Sequence, residues 1–239
     1  MQVRHAVIVT AAGSSSRFNA TSQTPVKKEF LTLNGKSILA NAIEPFLSVK
    51  GLVLVVVTYR KESFNETLDS LKSLELPEKV ELILVEGGET RQQSVFNALI
   101  KLDHINESKH LDIQLVSIHD GARPFVKKET IEQCLKTAMK AGGAAPCVPI
   151  SDTLVRAKDG LISARLDRTN VYGVQTPQTF RYPDIFLAHV DAWQKSKVND
   201  GLIYTDDTQI FTDYGYQVAI VEGDPKNKKI TYPKDLENL

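Results

Sequence analysis

Short apolar runs rich in β-branched residues alternate along the chain with longer stretches whose apolar positions recur at helical spacing. The runs Val7–Thr10, Leu52–Thr58, Val80–Val85, Leu115–His119 and Ala144–Val148 predict strands. Between them Ile38–Val49, Glu62–Ser73, Thr90–Leu102 and Lys128–Ala141 predict helices. Strands that are apolar nearly throughout, each followed by a helix, imply a parallel sheet covered on both faces. With right-handed crossovers the fold class is α/β: a doubly wound, Rossmann-like, mostly parallel sheet. Such sheets bind ligands at the carboxyl ends of their strands, and the first loop there reads AAGSSSRF, Ala11 to Phe18.

After Pro149 the pattern changes. Thr153–Ala157 and Leu161–Leu166 alternate polar and apolar residues around the turn Lys158-Asp159-Gly160, which predicts a β-hairpin leaving the main sheet. A lone hairpin is marginal in water, so this arm over 149–172 is expected to need a partner surface, most simply a second copy of the chain. Helices are expected again over Asp184–Ser196, Thr205–Tyr214 and Pro233–Leu239, with a strand at Gln217–Val221. No repeat or low-complexity linker interrupts the sequence, so residues 1–239 read as a single domain carrying the arm.

Composition narrows the function classes. Lys+Arg and Asp+Glu both number 29, so no overall basic field steers the molecule onto nucleic acid or an anionic membrane, and any anion binding must be local. Cys134 and Cys147 fit neither a disulfide framework nor a CxxC metal clip and read as buried, reduced thiols. With no apolar run long enough to span a bilayer and Met1 leading straight into a strand, the expected location is the cytoplasm.

A strand that empties into small residues, with Arg17 and the pair Lys27-Lys28 close behind, follows the logic of a phosphate cradle: bare backbone N–H groups plus cations. The stretch is neither GxGxxG nor GxxxxGKS, and alone it could be only a tight turn. HDGARP, His119 to Pro124, follows another predicted strand. Asp120 would end that strand, where a carboxylate can hold Mg²⁺ between phosphate oxygens, and Arg123 could orient it. The bland alternative is an ion-paired turn. In EGGETRQQS, Glu86 to Ser94, two glycines permit backbone approach to a flat base whose edge Ser94 or Arg91 could reach; otherwise they simply precede a Thr-capped helix. SDT at Ser151–Thr153, LDRTNVYGVQTPQTF at Leu166–Phe180 and NKKITYP at Asn227–Pro233 gather further polar groups.

Taken in order, these stretches resemble the 2-C-methyl-D-erythritol 4-phosphate cytidylyltransferase family of the non-mevalonate isoprenoid pathway. The resemblance spans nearly the whole chain through AAG-x-x-x-R, K-x-[YF]-L, GG-x-x-R-x-x-S, HD-x-ARP, DT, DR, QTPQ-x-F, TDD and K-[VI]-T. It implies a nucleotide-diphospho-sugar transferase fold, CTP as co-substrate, Mg²⁺ as cofactor and a homodimer joined through the arm. By the same resemblance Arg17, Lys28 and Lys229 serve the phosphates and the reaction, and Ala11, Ala12, Gly13, Gly88, Glu89, Ser94 and Asp120 hold the nucleotide. Asp120 also meets the metal, while Arg123, Thr153, Arg168, Thr176 and Thr205 bind the sugar-alcohol phosphate, Thr153 and Arg168 doing so in the partner's site. Lys27 is expected to point elsewhere. The chain departs from the family pattern at Ser15, where a second glycine is usual, and at Phe18, where methionine is common. Two alternatives share the pattern's CTP-site motifs or its fold. One is a ribitol-5-phosphate cytidylyltransferase, against which LDRT and TDDT weigh. The other is a non-catalytic nucleotide-binding regulator, which would be expected to have lost the lysine or the arginine.

Overall fold

A computed structural model describes residues 3–20, 25–199 and 203–237. The first half runs β1 (His5–Thr10), β2 (Thr32–Leu33), β3 (Lys36–Ser37), α1 (Ile38–Leu47), β4 (Leu52–Tyr59), α2 (Phe64–Ser70), β5 (Glu81–Glu86), α3 (Arg91–Lys109), β6 (Leu115–Asp120) and α4 (Lys128–Ala141). It continues with β7 (Gly143–Pro149), β8 (Val155–Lys158), β9 (Leu161–Arg165), β10 (Tyr172–Val174), β11 (Gln178–Arg181), α5 (Asp184–Val198), α6 (Asp207–Asp213), β12 (Val218–Glu222) and α7 (Lys234–Glu237). The last two residues of the helix expected through Leu239 lie outside the described residues.

Alternation of side chains explains the layers. In β1, Val7 and Val9 pack toward α1 and α4 with Ile43, Phe46 and Ile131, while Ala6 and Ile8 pack toward α3 and α5 with Leu99, Leu102 and Ile185. All of these are buried, and each large one contributes about 1.5–3 kcal/mol of transfer free energy. Side-chain caps begin α1 and α3: Ser37 accepts from the Ala40 amide for the first, and Thr90 from the Gln93 amide for the second.

The sheet runs β5-β4-β1-β6-β11-β7, with β12 on β7's other side. The pairs β5–β4, β4–β1, β1–β6 and β7–β12 are parallel, as the sequence led us to expect. The exception is β11, which runs antiparallel between β6 and β7, and β10 lies antiparallel along the far end of β7. The pattern of apolar runs missed β11 because two of its three buried residues are polar: Thr179 Oγ1 meets Ser117 Oγ at 2.8 Å across the strands, and Gln178 is bonded by α6. Register aligns Thr10 with Asp120 and with Thr58, and Tyr59 with Glu86, so four strands end along one edge.

β8 and β9 form a separate two-stranded antiparallel sheet. Asp159 (φ +52°) and Gly160 (φ +78°) turn the chain between them, the two positive φ values that a tight primed turn requires. Along this sheet Leu161 is 73% and Ile162 68% exposed.

Candidate active site

The loop after β1 departs from its strand at a fixed place. The Ala11 amide is shared between the Thr58 carbonyl and hydroxyl, each at 3.2 Å, which anchors the turn to β4. Ser15 then takes a left-handed backbone (φ +53°), and its hydroxyl donates to Glu29 at 3.2 Å. A residue with a Cβ pays about 1 kcal/mol for that conformation, which accounts physically for glycine being usual there. Lys27 does not point elsewhere: its Nζ donates to the Gly13 carbonyl at 2.7 Å and ties the loop down.

Opposite stands the turn from β5 to α3. A Cβ on Gly87 would lie 2.4 Å from Ala12 Cβ and 2.8 Å from Ser94 Oγ, so only glycine lets the two loops close on each other. The Gly88 amide donates to Ser94 Oγ at 3.0 Å, and that hydroxyl in turn donates to the Thr90 carbonyl at 2.9 Å.

Between the loops lies a cleft of about 410 Å³ at the carboxyl edge of the sheet. Of the residues singled out from sequence, Ala12, Gly13, Arg17, Lys28, Gly88, Glu89, Ser94, Asp120 and Lys229 line it. Ala11 is buried next to the wall. Thr176 stands behind Asp120, its hydroxyl accepting from the Asp120 amide at 3.1 Å and bonded to His119 Nδ1 at 2.9 Å. Arg123 flanks the same aspartate and reaches the Asn227 carbonyl. Thr153, Arg168 and Thr205 are exposed and are not among the lining residues; the first two flank the β8–β9 sheet.

Charge is concentrated here. Arg17, Lys28, Arg60, Arg91 and Lys229 line the cleft against Glu29, Glu89 and Asp120, an excess of two positive charges. Asp120 Oδ2 takes Lys229 Nζ at 3.0 Å and Arg123 Nε at 3.3 Å, while Oδ1 faces Arg91 Nε at 3.8 Å. Burial alone would raise the Asp120 pKa, but Lys229, Arg91 and Arg123 outweigh it and hold the carboxyl well below the usual carboxylate range. Lys28 is buried and donates to the Ile230 carbonyl at 2.6 Å. Burial lowers its ammonium below the ordinary lysine value, with Lys229 and Arg17 adding to the effect against the pull of Glu29. Arg60 went unnoticed in the sequence, although a cation one residue beyond β4 satisfies the same strand-end rule. Arg91's chief partner, the buried Asp207 at 2.7 Å, is distant in sequence and had no local signal.

Among the described residues no three His, Cys, Asp or Glu side chains converge on one point. A Mg²⁺ that brought its remaining ligands from water and substrate phosphates would need only one carboxylate, and Asp120 Oδ1, which faces Arg91 Nε across 3.8 Å, fits that requirement. No helix among the described residues is long and apolar enough to cross a membrane.

A family model described as 2-C-methyl-D-erythritol 4-phosphate cytidylyltransferase (IspD) matches residues 5–238. The chain is 34% identical over 234 residues to the enzyme of that name from Bacillus licheniformis, covering 98% of this chain and 93% of the relative. It is 37% identical over 233 residues to that of Desulforamulus reducens, covering 96% and 91%. Among solved structures, the 2-C-methyl-D-erythritol 4-phosphate cytidylyltransferase of Thermus thermophilus superposes with a TM-score of 0.72 at 30% identity, covering 100% of this chain and 97% of that one.

Proposed function

The chain belongs to the 2-C-methyl-D-erythritol 4-phosphate cytidylyltransferase family, and from that premise we propose how its own residues transfer CMP from CTP to 2-C-methyl-D-erythritol 4-phosphate. The acceptor's phosphate oxygen attacks the α-phosphorus of CTP in line. A new P–O bond forms as the bond to the β-phosphate breaks, and pyrophosphate leaves with that electron pair. The nucleophile is already anionic near neutral pH, because a phosphate monoester's second pKa is about 6, so no general base is needed. The obstacle is bringing two polyanions together, and positioning and charge stabilisation overcome it.

The observation that carries this reading is the excess of cations around a cleft one wall of which is built from the small residues Ala12, Gly13, Ser14, Ser15 and Ser16. Arg17 and Lys28 face the triphosphate and stabilise charge at the α-phosphorus, with Lys229 beside the acceptor phosphate. Ala11–Gly13, Gly88, Glu89 and Ser94 form the pocket for cytosine and ribose. Asp120 would hold a Mg²⁺, which supplies charge neutralisation of the phosphates. Arg123, Thr176 and Thr205 attend the acceptor. Thr153 and Arg168 belong to the arm and serve the opposite subunit of a homodimer, a reading supported by the apolar side chains that the β8–β9 sheet exposes. Two buried free thiols are in keeping with a reducing cytoplasm.

The test is product formation from the acceptor with CTP or UTP. A site built to accept hydrogen bonds from the cytosine amino group leaves acceptors unpaired against a uracil carbonyl, a mismatch worth about 1–3 kcal/mol. CTP should therefore be preferred about tenfold or more in kcat/KM. Equal use of UTP would refute the site assignment.

A further inference from the structure

Behind the cleft wall runs a line of polar groups, Asp207, His189 and Arg91, that these roles leave unused. Asp207 opens α6 and is completely buried, as is His189 on α5. His189 Nε2 lies 3.2 Å from Asp207 Oδ1, and Arg91 NH2 lies 2.7 Å from Asp207 Oδ2. The backbone around the aspartate is pinned as well: Gln178 Oε1 accepts from the amides of Asp207 and Thr208 at 2.9 and 3.1 Å. A carboxylate sealed from water is costly unless it is paired, and an apolar pair of similar volume would serve stability equally well. Burial raises the Asp207 pKa, but Arg91 and the His189 hydrogen bond hold the carboxyl below the carboxylate range.

Arg91 is the one member of this line that reaches the cleft. One end of its guanidinium closes on Asp207, while Nε stops 3.8 Å short of Asp120 Oδ1. Asp120 Oδ2 is already taken by Lys229 and Arg123, so Oδ1 is the oxygen left to face whatever enters. We propose that the buried Asp207–His189 pair clamps Arg91 as a positioning residue, which orients the Asp120 carboxylate without closing on Oδ1. The clamp joins two segments that the chemistry must bring together, the β5–α3 turn on the nucleotide side and the start of α6 on the acceptor side.

The inference rests on the site roles proposed above, and its test separates the two. In Arg91→Lys, the ammonium keeps the ion pair with Asp207 but has no second nitrogen to face Asp120. In Asp207→Asn, the guanidinium is released and can close on Oδ1. Wild type and both variants are assayed with CTP and the acceptor, alongside thermal unfolding. The positioning role predicts that each variant loses about fivefold or more in kcat, with KM for CTP within about threefold, because the Gly88–Ser94–Thr90 bonds that shape the base pocket are untouched. A purely structural ion pair would be kept by lysine, and Arg91→Lys would then turn over like wild type, which overturns the proposal. Should Asp207→Asn fail to fold, Arg91→Lys alone decides. A wild type that makes no cytidylylated product brings down the site assignment and this inference with it. A working wild type with unimpaired Arg91→Lys brings down this inference only.

Discussion

Lys28→Ala removes a buried cation from the cleft while leaving Lys27, Arg17 and Lys229 in place. At about 4 Å in a partly buried site a full unit charge is worth about 4 kcal/mol of interaction. Part of that attraction is already present when CTP binds, and only the share that grows as charge develops accelerates the chemistry. The expected cost is therefore about 2–4 kcal/mol of barrier, or roughly 30- to 1,000-fold in kcat. The fold should survive. Lys28 gives up one hydrogen bond, to the Ile230 carbonyl, worth about 1 kcal/mol, and relief of its repulsion from Lys229 offsets part of the loss. Pyrophosphate release at saturating acceptor gives kcat and KM, calorimetric titration gives CTP affinity, and a thermal melt gives stability. A kcat loss under about fivefold, or a loss confined to KM, would refute the assignment of Lys28 to the transition state.

Lys27→Ala should act differently, raising KM for CTP several-fold with a small change in kcat, because Lys27 ties down the Gly13 carbonyl and is not a wall of the cleft; steady-state kinetics on the two lysine variants separates the roles. His5 is buried, and burial pushes its pKa down to about 4 from 6.5, despite a backbone hydrogen bond that acts the other way. The unfolded chain thus takes up a proton that the folded one refuses between these values, so stability falls as pH drops from 6.5 toward 4, by about 3 kcal/mol for this residue, and His5→Gln should flatten that part of a denaturation-versus-pH curve. Co-expressing Arg168→Ala with Lys28→Ala under two tags should yield a heterodimer that regains activity at the one site receiving both intact residues, whereas a heterodimer as inactive as its parents would place the whole site in one subunit.

Legibility tracked how local the determinants were. β1, β4, β6 and β7 were readable because strands buried on both faces are apolar at nearly every position, and β5, half-buried at the sheet edge, because it carries the apolar run Leu82–Val85. The Asp159-Gly160 turn was readable because two successive positive φ values favour that dipeptide. β11 was not, since Gln178 and Thr179 look like loop residues until their partners Ser117 and Asp207 are supplied by distant segments. The same division runs through the site. Arg17 and Asp120 stand in stretches marked by small residues or a strand end, Lys28 and Lys229 in motifs from which only the family resemblance singles them out, and all four line the cleft. Arg91's tie to Asp207 and Lys27's tie to Gly13 depend on three-dimensional neighbours, one of them a backbone carbonyl that no side-chain pattern encodes. Thr153 and Arg168 lie outside this chain's cleft, on the arm that we propose reaches a second copy.

The carboxylates of the cleft explain how a chain with equal numbers of acidic and basic residues can meet a triphosphate and a phosphate monoester together. Five cations crowded around an open cleft would repel one another and spread into solvent before any substrate arrived. Glu29 accepts from Ser15 at the base of the nucleotide loop, and Asp120 draws Lys229, Arg123 and Arg91 to within 4 Å of a single carboxylate. Their negative charge offsets part of that repulsion, so the cations are already in place when the phosphates enter and little reorganisation remains for the reaction itself. Complete neutralisation would defeat the purpose, and the excess of two positive charges is what draws the polyanions in. The acids of this cleft act by holding cations in place, which is why removing one of them is expected to damage turnover although it makes the cleft more positive.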